Sequence, residues 1–118
     1  MSLDRHRRND MLALEIRDAE LLTELAEQLK EKGIDRAALS VIGGVDSFTI
    51  ITMSALSAED RNEYAYDQPA ELTGTGELVD GELHVHVSCG LEGGKARVGH
   101  LKEAHVRTWF AKVHVTPL

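Results

Sequence analysis

Alternating hydrophobic and polar residues predict a strand near the start of the chain, followed by the main helix. Residues 11–17 alternate apolar and polar side chains with the two-residue period of a half-buried strand. Asp18 then offers an N-cap, and the leucines that follow recur at helical spacing as far as Gly33. The pattern therefore predicts one strand and one amphipathic helix with a glycine stop.

The middle of the chain predicts two further strands and a long polar connection. Residues 37–42 and 48–53 are rich in β-branched and apolar side chains, and a turn containing Gly43 and Gly44 separates them. Residues 55–69 are polar and acidic without a clear period. We expect this segment to be the longest loop, or a short helix followed by a loop.

A β-hairpin centred on Asp80-Gly81 is the strongest local prediction, because this dipeptide lies between two strand-like runs. A two-residue turn fixes the pairing and puts Glu77 opposite His84 and Thr75 opposite His86. The predicted core face comprises Leu72, Leu78, Leu83, Val85, Val87 and Cys89. The opposite face comprises Glu71, Thr73, Thr75, Glu77, His84, His86 and Ser88.

Two histidines on the polar face suggest metal binding. His84 and His86 should have Cα atoms about 6 to 7 Å apart, from which two imidazoles can converge on one ion. His100 follows a glycine-rich turn that should return the chain beside this strand. It faces the same side if three or five turn residues are unpaired, and the opposite side if four are. The sequence leaves that number open.

Three neutral imidazoles with an open fourth position suit zinc or a similar divalent ion. Glu77 is expected to support the site by orienting the ring of His84, and Glu71 is a second carboxylate on the same face. The alternative is that these are ordinary surface or interface histidines. His105 and His114 have no such partners and are interpreted as exposed or interface residues.

Length and composition restrict the possible protein classes. With 118 residues and 42% hydrophobic content, the chain can form one core. We expect an N-terminal tail over residues 1–10 and a single α+β domain over residues 11–118. The sequence has neither a membrane-spanning apolar run nor a signal-type apolar segment. The single cysteine, Cys89, excludes an intramolecular disulfide, and we expect a cytoplasmic protein.

Charge disfavours a nucleic-acid partner. Thirteen basic against twenty acidic residues give a formal net charge of −7, so the averaged field repels a phosphate backbone. The main basic concentration, which includes Arg5, Arg7 and Arg8, lies in the predicted tail. Unaided DNA binding is therefore not expected.

The order of motifs between Ala70 and Val115 resembles the PPC domain, also called DUF296. The matching elements are Glu71-Leu72, Gly74 or Gly76, His84-Val85-His86 and Gly99-His100-Leu101. The resemblance implies a single α+β domain built mainly on an antiparallel sheet, assembly as a homotrimer, and a metal ion held by His84, His86 and His100. The family also carries a DNA-binding label from plant proteins with AT-hook segments, but this sequence has no Arg-Gly-Arg-Pro element.

The end of the chain provides a separate reason to expect association. Residues 105–115 are predicted as one last strand, with apolar residues such as Trp109 and Phe110 on both faces. Because one helix covers only part of one sheet face, the second apolar face is expected to be buried against another subunit.

Three functional hypotheses follow from these features, and the least favoured is the DNA binding that the family label implies. We favour a binding or regulatory protein with a three-histidine zinc site. The alternative is a small metal-dependent enzyme of cupin-like type, in which Glu71 or Glu77 acts as the base beside a metal-activated water.

Overall fold

Nine β-strands and one α-helix form the part of the chain that the computed structural model describes, residues 10–118. The predicted tail, including Arg5, Arg7 and Arg8, lies outside the described residues except for Asp10. In chain order the elements are β1 (Leu12–Ile16), β2 (Ala19–Glu20), α1 (Leu21–Glu31), β3 (Arg36–Val45), β4 (Ser47–Met53), β5 (Arg61–Tyr66), β6 (Ala70–Val79), β7 (Glu82–Gly90), β8 (Ala96–Val106) and β9 (Ala111–Pro117). Within this part, no helix has the length and apolar character needed to cross a membrane.

All nine strands belong to one antiparallel sheet. The strand order is β1-β9-β3-β6-β7-β8-β4-β5, and the short β2 pairs with the C-terminal end of β8. The predicted fold class, a single α+β domain with a mainly antiparallel sheet and one main helix, is confirmed.

One face of the sheet forms the hydrophobic core beneath α1. Leu21, Leu25 and Leu29 point from the helix into this core and are almost completely buried. The longer strands contribute every second residue, as the period of a pleated strand requires. The opposite face is not covered by a helix and therefore presents the alternate side chains of β9, β3, β6, β7 and β8 outward.

The helix begins two residues later than Asp18 predicts. Asp18 has a left-handed φ of 49°, and the N-cap is Glu20. Its carboxylate accepts hydrogen bonds from the backbone N–H groups of Leu22 and Thr23 and from the Thr23 hydroxyl. It also accepts one from the N–H of Ala104 in β8 at 2.9 Å. The longer glutamate thus caps the helix and attaches it to the sheet.

The predicted polar connection over residues 55–69 is partly wrong, because it contains strand β5. This strand lies at the edge of the sheet and pairs only with β4, Ile51 opposite Glu63 and Met53 opposite Arg61. Its side chains are exposed except for the half-buried Tyr66. The sequence of this strand therefore shows no alternation of apolar and polar residues. The strand is held by backbone hydrogen bonds, which composition does not reveal.

The predicted last strand over residues 105–115 is also wrong. The chain turns between β8 and β9, and the Asp46 carboxylate accepts hydrogen bonds there from the backbone N–H groups of Arg107 and Thr108 and from the Thr108 hydroxyl. The bonds from Thr108 hold the pKa of Asp46 below its usual value. Trp109 lies in this turn and is 65% exposed. Because the outward residues of β9 are Lys112, His114 and Thr116, this strand lacks the second apolar face that the prediction assumed.

The close approach of β6 to β7 predicts a strict requirement for glycine. A Cβ atom at Gly76 would overlap the carbonyl oxygen of His84 and lie 2.8 Å from the Cα of Val85. We expect Gly76→Ala to destabilise the fold by about 1–3 kcal/mol, because overpacking forces the strands apart. Thermal unfolding should show a melting temperature lower by roughly 5 °C or more.

Gly90→Ala is the matched control for this prediction. It lies in the same strand pair, but the nearest atom to its added Cβ would be 3.6 Å away, an ordinary contact. Equal melting temperatures for the two variants would contradict the account of strand approach.

The cap at Glu20 predicts a second stability effect. Glu20→Ala removes the acceptor of the first helical turn and leaves the Ala104 N–H without its partner. We expect a loss of about 2 kcal/mol in the free energy of unfolding, measured by urea denaturation. Glu27→Ala, on the exposed side of the same helix, should change it by less than about 0.5 kcal/mol. Similar losses in both variants would show that the cap does not stabilise the helix.

Candidate metal centre

The β6–β7 hairpin has the predicted register. Glu77 pairs with His84 and Thr75 pairs with His86. Asp80 and Gly81 have φ values of 51° and 81°, the left-handed values that a type I′ turn requires at both central positions. Tight turn geometry therefore places His84 and His86 on the outward face of β7, where both are exposed.

The β7–β8 connection decides the position of the third histidine. Gly90 pairs with Ala96, so five residues, 91–95, remain unpaired. An odd number preserves the alternation, and His100 lies on the outward face directly opposite His86. Gly93 and Gly94 have φ values of 79° and 78° in this connection, which side-chain-bearing residues rarely adopt.

The three imidazole rings form a compact cluster. The Nε2 atoms of His84 and His86 are 3.1 Å apart. The ring centroids of His84 and His100 are 5.1 Å apart, and those of His86 and His100 are 5.7 Å apart. One nitrogen of each ring lies within 4.8 Å of the others, and residues 10–118 contain no second group of three or more potential ligands that meets this condition.

These distances fit a small divalent ion. Two nitrogens bound tetrahedrally to zinc at 2.0–2.1 Å lie about 3.3 Å from one another. The distance between the Nε2 atoms of His84 and His86 is close to this value. The other two pairs of nitrogens are at most 4.8 Å apart, so ring rotations need to shorten those distances by at most about 1.5 Å. An all-imidazole donor set suits zinc and its neighbours among the transition metals.

The surroundings of His100 favour its neutral form, which is the form in which an imidazole binds a metal ion. Burial lowers the pKa of His100, and the nearby charges of His84, His86 and Arg61 lower it further. His100 is half-buried, whereas His84 and His86 are exposed. The cluster is therefore held most firmly at His100, and it is open to solvent at His84 and His86.

The two predicted supporting carboxylates occupy different positions. Glu77 lies opposite His84 and lines the same cleft beside the histidines. Glu71 pairs with Gly90, whereas Thr75, four residues further along β6, pairs with His86. Glu71 therefore lies about 13 Å along the strand from the position opposite His86. The structure brings Glu77 close to the cluster and leaves Glu71 out of its reach.

Arg61, the first residue of β5, was missed by sequence reasoning. It lines the cleft together with Glu77, His84 and His100. The sequence contains no signal for this position, because Arg61 reaches the cleft only through the pairing of an edge strand inside a segment predicted as a connection.

The remaining candidate residues lie outside the cluster. His105 lies 3.7 Å from the carboxylate of Glu103 and is half-buried, and His114 is half-buried on the outward side of β9. Cys89 is buried in the core, as predicted, and burial raises the pKa of its thiol to about 11. A thiol in that state is neither a ready ligand nor a nucleophile.

Comparison with known proteins identifies a matching family model and several similar structures. Residues 8–117 match the model of the Plants and Prokaryotes Conserved (PCC) domain. A metal-containing protein from Archaeoglobus fulgidus has 29% sequence identity and a TM-score of 0.78, with 92% of this chain and 79% of that chain covered. A plant- and prokaryote-conserved (PPC) protein from Pyrococcus horikoshii has 28% identity and a TM-score of 0.77, with 92% and 78% covered.

A third similar structure shares the fold at lower identity. It is a proposed DNA-binding protein from Bacteroides thetaiotaomicron, with 23% identity, a TM-score of 0.76, and 91% of this chain and 78% of that chain covered. At this identity the likeness shows the fold alone. No significant match was found among curated proteins.

Proposed function

This chain belongs to the Plants and Prokaryotes Conserved (PCC) domain family, as its resemblance to the PPC domain implied, and we propose that it is a binding or regulatory protein that holds zinc or a similar divalent ion. His84, His86 and His100 are the proposed ligands. The observation that carries the proposal is the convergence of three ring nitrogens within 4.8 Å on the outward face of two paired strands. The similar Archaeoglobus protein, described as metal-containing, supports it.

The surroundings of the three histidines favour binding. Three imidazoles would leave a tetrahedral ion one open position, and two of the proposed ligands, His84 and His100, line a cleft that is accessible to solvent. When bound, the ion would supply Lewis acidity at that position. We assign to Glu77 the role of orienting His84 once the ion is bound, because the two residues are paired across the hairpin.

A small metal-dependent enzyme is the second candidate, and the position of Glu77 is what favours it. A carboxylate beside an open metal position can accept a proton from a bound ligand. Glu71, the other predicted base, does not line this cleft. Turnover that requires both the metal and Glu77 would place the enzyme hypothesis above the binding hypothesis.

We also propose that the chain assembles as a homotrimer in the cytoplasm. The described residues have a radius of gyration of 15.2 Å, against about 13 Å for a compact domain of this length. Large apolar side chains are exposed on the uncovered sheet face, among them Ile42 and Val98, at 56% and 59%. Burying the part of this face around Ile42 and Val98, neither of which lines the cleft beside His84 and His100, would account for both features and leave that cleft open. The single, buried cysteine suits a reducing compartment.

Light scattering after size exclusion tests the trimer. Three copies of the 13.0 kDa chain predict a mass of about 39 kDa. A mass of 13 kDa at micromolar concentration would contradict the proposal. Ile42→Lys should weaken association because it introduces a charge on the region to be buried. Leu56→Lys, at a 96% exposed position in the connection between β4 and β5, is the control.

DNA is not the partner we propose, although some structures of this fold are described as proposed DNA-binding proteins. The net charge of −7 per chain would be multiplied in an oligomer and would oppose contact with phosphates. A salt-sensitive complex with duplex DNA at physiological ionic strength would overturn this choice.

Metal content tests the central proposal. Tag-free protein prepared without chelators should contain about one metal ion per chain by mass spectrometry, as the three-imidazole donor set predicts. His84→Ala and His100→Ala should each lose most of it, because two imidazoles make a weak site. His114→Ala is the matched control, since His114 lies on the outward face of β9 outside the cluster.

Two results would refute the metal proposal. One is native protein that neither contains metal nor takes up added zinc. The other is equal loss of metal in His114→Ala and His84→Ala, which would show that binding does not depend on the cluster.

A further inference from the structure

We infer that the cleft beside the three histidines recognises a small zwitterionic ligand, one that carries a carboxylate and an ammonium group joined by a short apolar chain. This inference rests on the proposed metal site. The cleft is lined by three carboxylates and one guanidinium in addition to His84 and His100. Glu77, Asp80 and Glu82 belong to the β6–β7 hairpin, here called the hairpin end, and Arg61 belongs to β5, here called the Arg61 end.

The strand order separates the acidic residues of the cleft from its arginine. The acidic residues belong to β6 and β7, His100 belongs to β8, and Arg61 belongs to β5, which is two strands further along the sheet. A ligand lying across these strands would therefore pass from carboxylates, over the imidazoles, to a guanidinium.

The Arg61 end is suited to a carboxylate. The Arg61 side chain makes no hydrogen bond or ion pair with any other residue of the described chain, 10–118. A guanidinium beside a divalent cation is repelled by it, and an anion between the two removes that repulsion. The planar guanidinium matches the two oxygens of a carboxylate, which can also occupy the open metal position.

The hairpin end is suited to an ammonium group. Glu77 is paired with His84, and Glu82 precedes His84 by two residues on the same outward face of β7. Neither glutamate has a hydrogen-bond or ion-pair partner within residues 10–118. Two carboxylates without a cation, facing one cleft, are satisfied by a ligand that brings one.

The wall of the cleft is suited to the short apolar chain that joins the two charged groups of the ligand. Val79 lies on the outward face of β6 next to the acidic residues, and its side chain offers an apolar surface to methylene groups. Val79 is 37% exposed, so this apolar surface is open to a ligand. The lining thus matches an amino-acid-like molecule better than a simple anion, which would meet three carboxylates and only one arginine.

The probes are a series of ω-amino acids from glycine to 6-aminohexanoate, with propionate and propylamine as compounds of one charge each. Zinc content is determined before and after each titration, so that removal of the metal by a probe is recognised. Binding to the zinc-loaded protein is then measured by calorimetry. At least one amino acid should bind about tenfold or more tightly than either compound of single charge, because both charged ends contribute.

Variants identify the two ends. Arg61→Gln and Glu77→Gln should each reduce the affinity for the best amino acid by about tenfold, and Arg61→Gln should also weaken binding of propionate. Arg107→Gln and Glu71→Gln are the controls, since Arg107 lies in the β8–β9 turn and Glu71 lies on the face of Glu77 but outside the cleft. Both controls should bind as the unaltered protein does.

Each failure has its own meaning. Protein that does not bind zinc refutes the proposed function. Protein that binds one zinc per chain but binds propionate as tightly as every amino acid, or binds none of the probes, overturns the zwitterion inference and leaves the metal site standing. Equal loss of affinity in Glu77→Gln and Glu71→Gln would also overturn it.

Discussion

The backbone register of three adjacent strands, β6, β7 and β8, is the constraint on which the metal centre depends. Side chains alternate strictly between the two faces of a strand, so a shift by one residue would exchange the outward histidines for the core residues between them. The two connections that set the register are short and leave little freedom. The β6–β7 turn uses left-handed φ values at Asp80 and Gly81, and the β7–β8 connection leaves five residues unpaired.

Core packing reinforces this register. Val85 and Val87 alternate with the histidines of β7 and are almost fully buried beneath the sheet, so displacing the histidines would expose both valines. Gly74 and Gly76 of β6 let the two strands approach closely at these positions. The uncovered face can therefore carry polar and metal-binding groups because the covered face supplies the stability. A cluster placed on regular strands is also more rigid than one placed on loops.

Local features of the fold could be predicted from the sequence, and features that depend on distant contacts could not. The β6–β7 pairing follows from one dipeptide and the alternation around it, so Glu77 and His84 were correctly placed opposite one another. The side on which His100 lies depends on the number of unpaired residues, which glycine content alone does not fix. Asp18 has the residue type of a cap, but Glu20 takes the role because it also reaches β8.

The least predictable parts are those that the sheet assembles from separate regions. Arg61 is brought to the cleft by an edge strand whose exposed side chains have no apolar period. The sequence pattern predicts that Trp109 lies in a strand, whereas hydrogen bonds to Asp46, more than 60 residues earlier, hold that segment as a turn. In both cases the determining contact is remote in sequence, and no pattern within the segment reports it.

X-ray absorption spectroscopy of the zinc-loaded protein in solution tests the account most directly, because it reports the atoms bound to the ion. Three imidazole nitrogens at about 2.0–2.1 Å are expected, with the remaining position filled by a light atom. A spectrum with fewer than three imidazoles, or with a sulfur ligand at about 2.3 Å, would contradict the claim that His84, His86 and His100 together hold the metal.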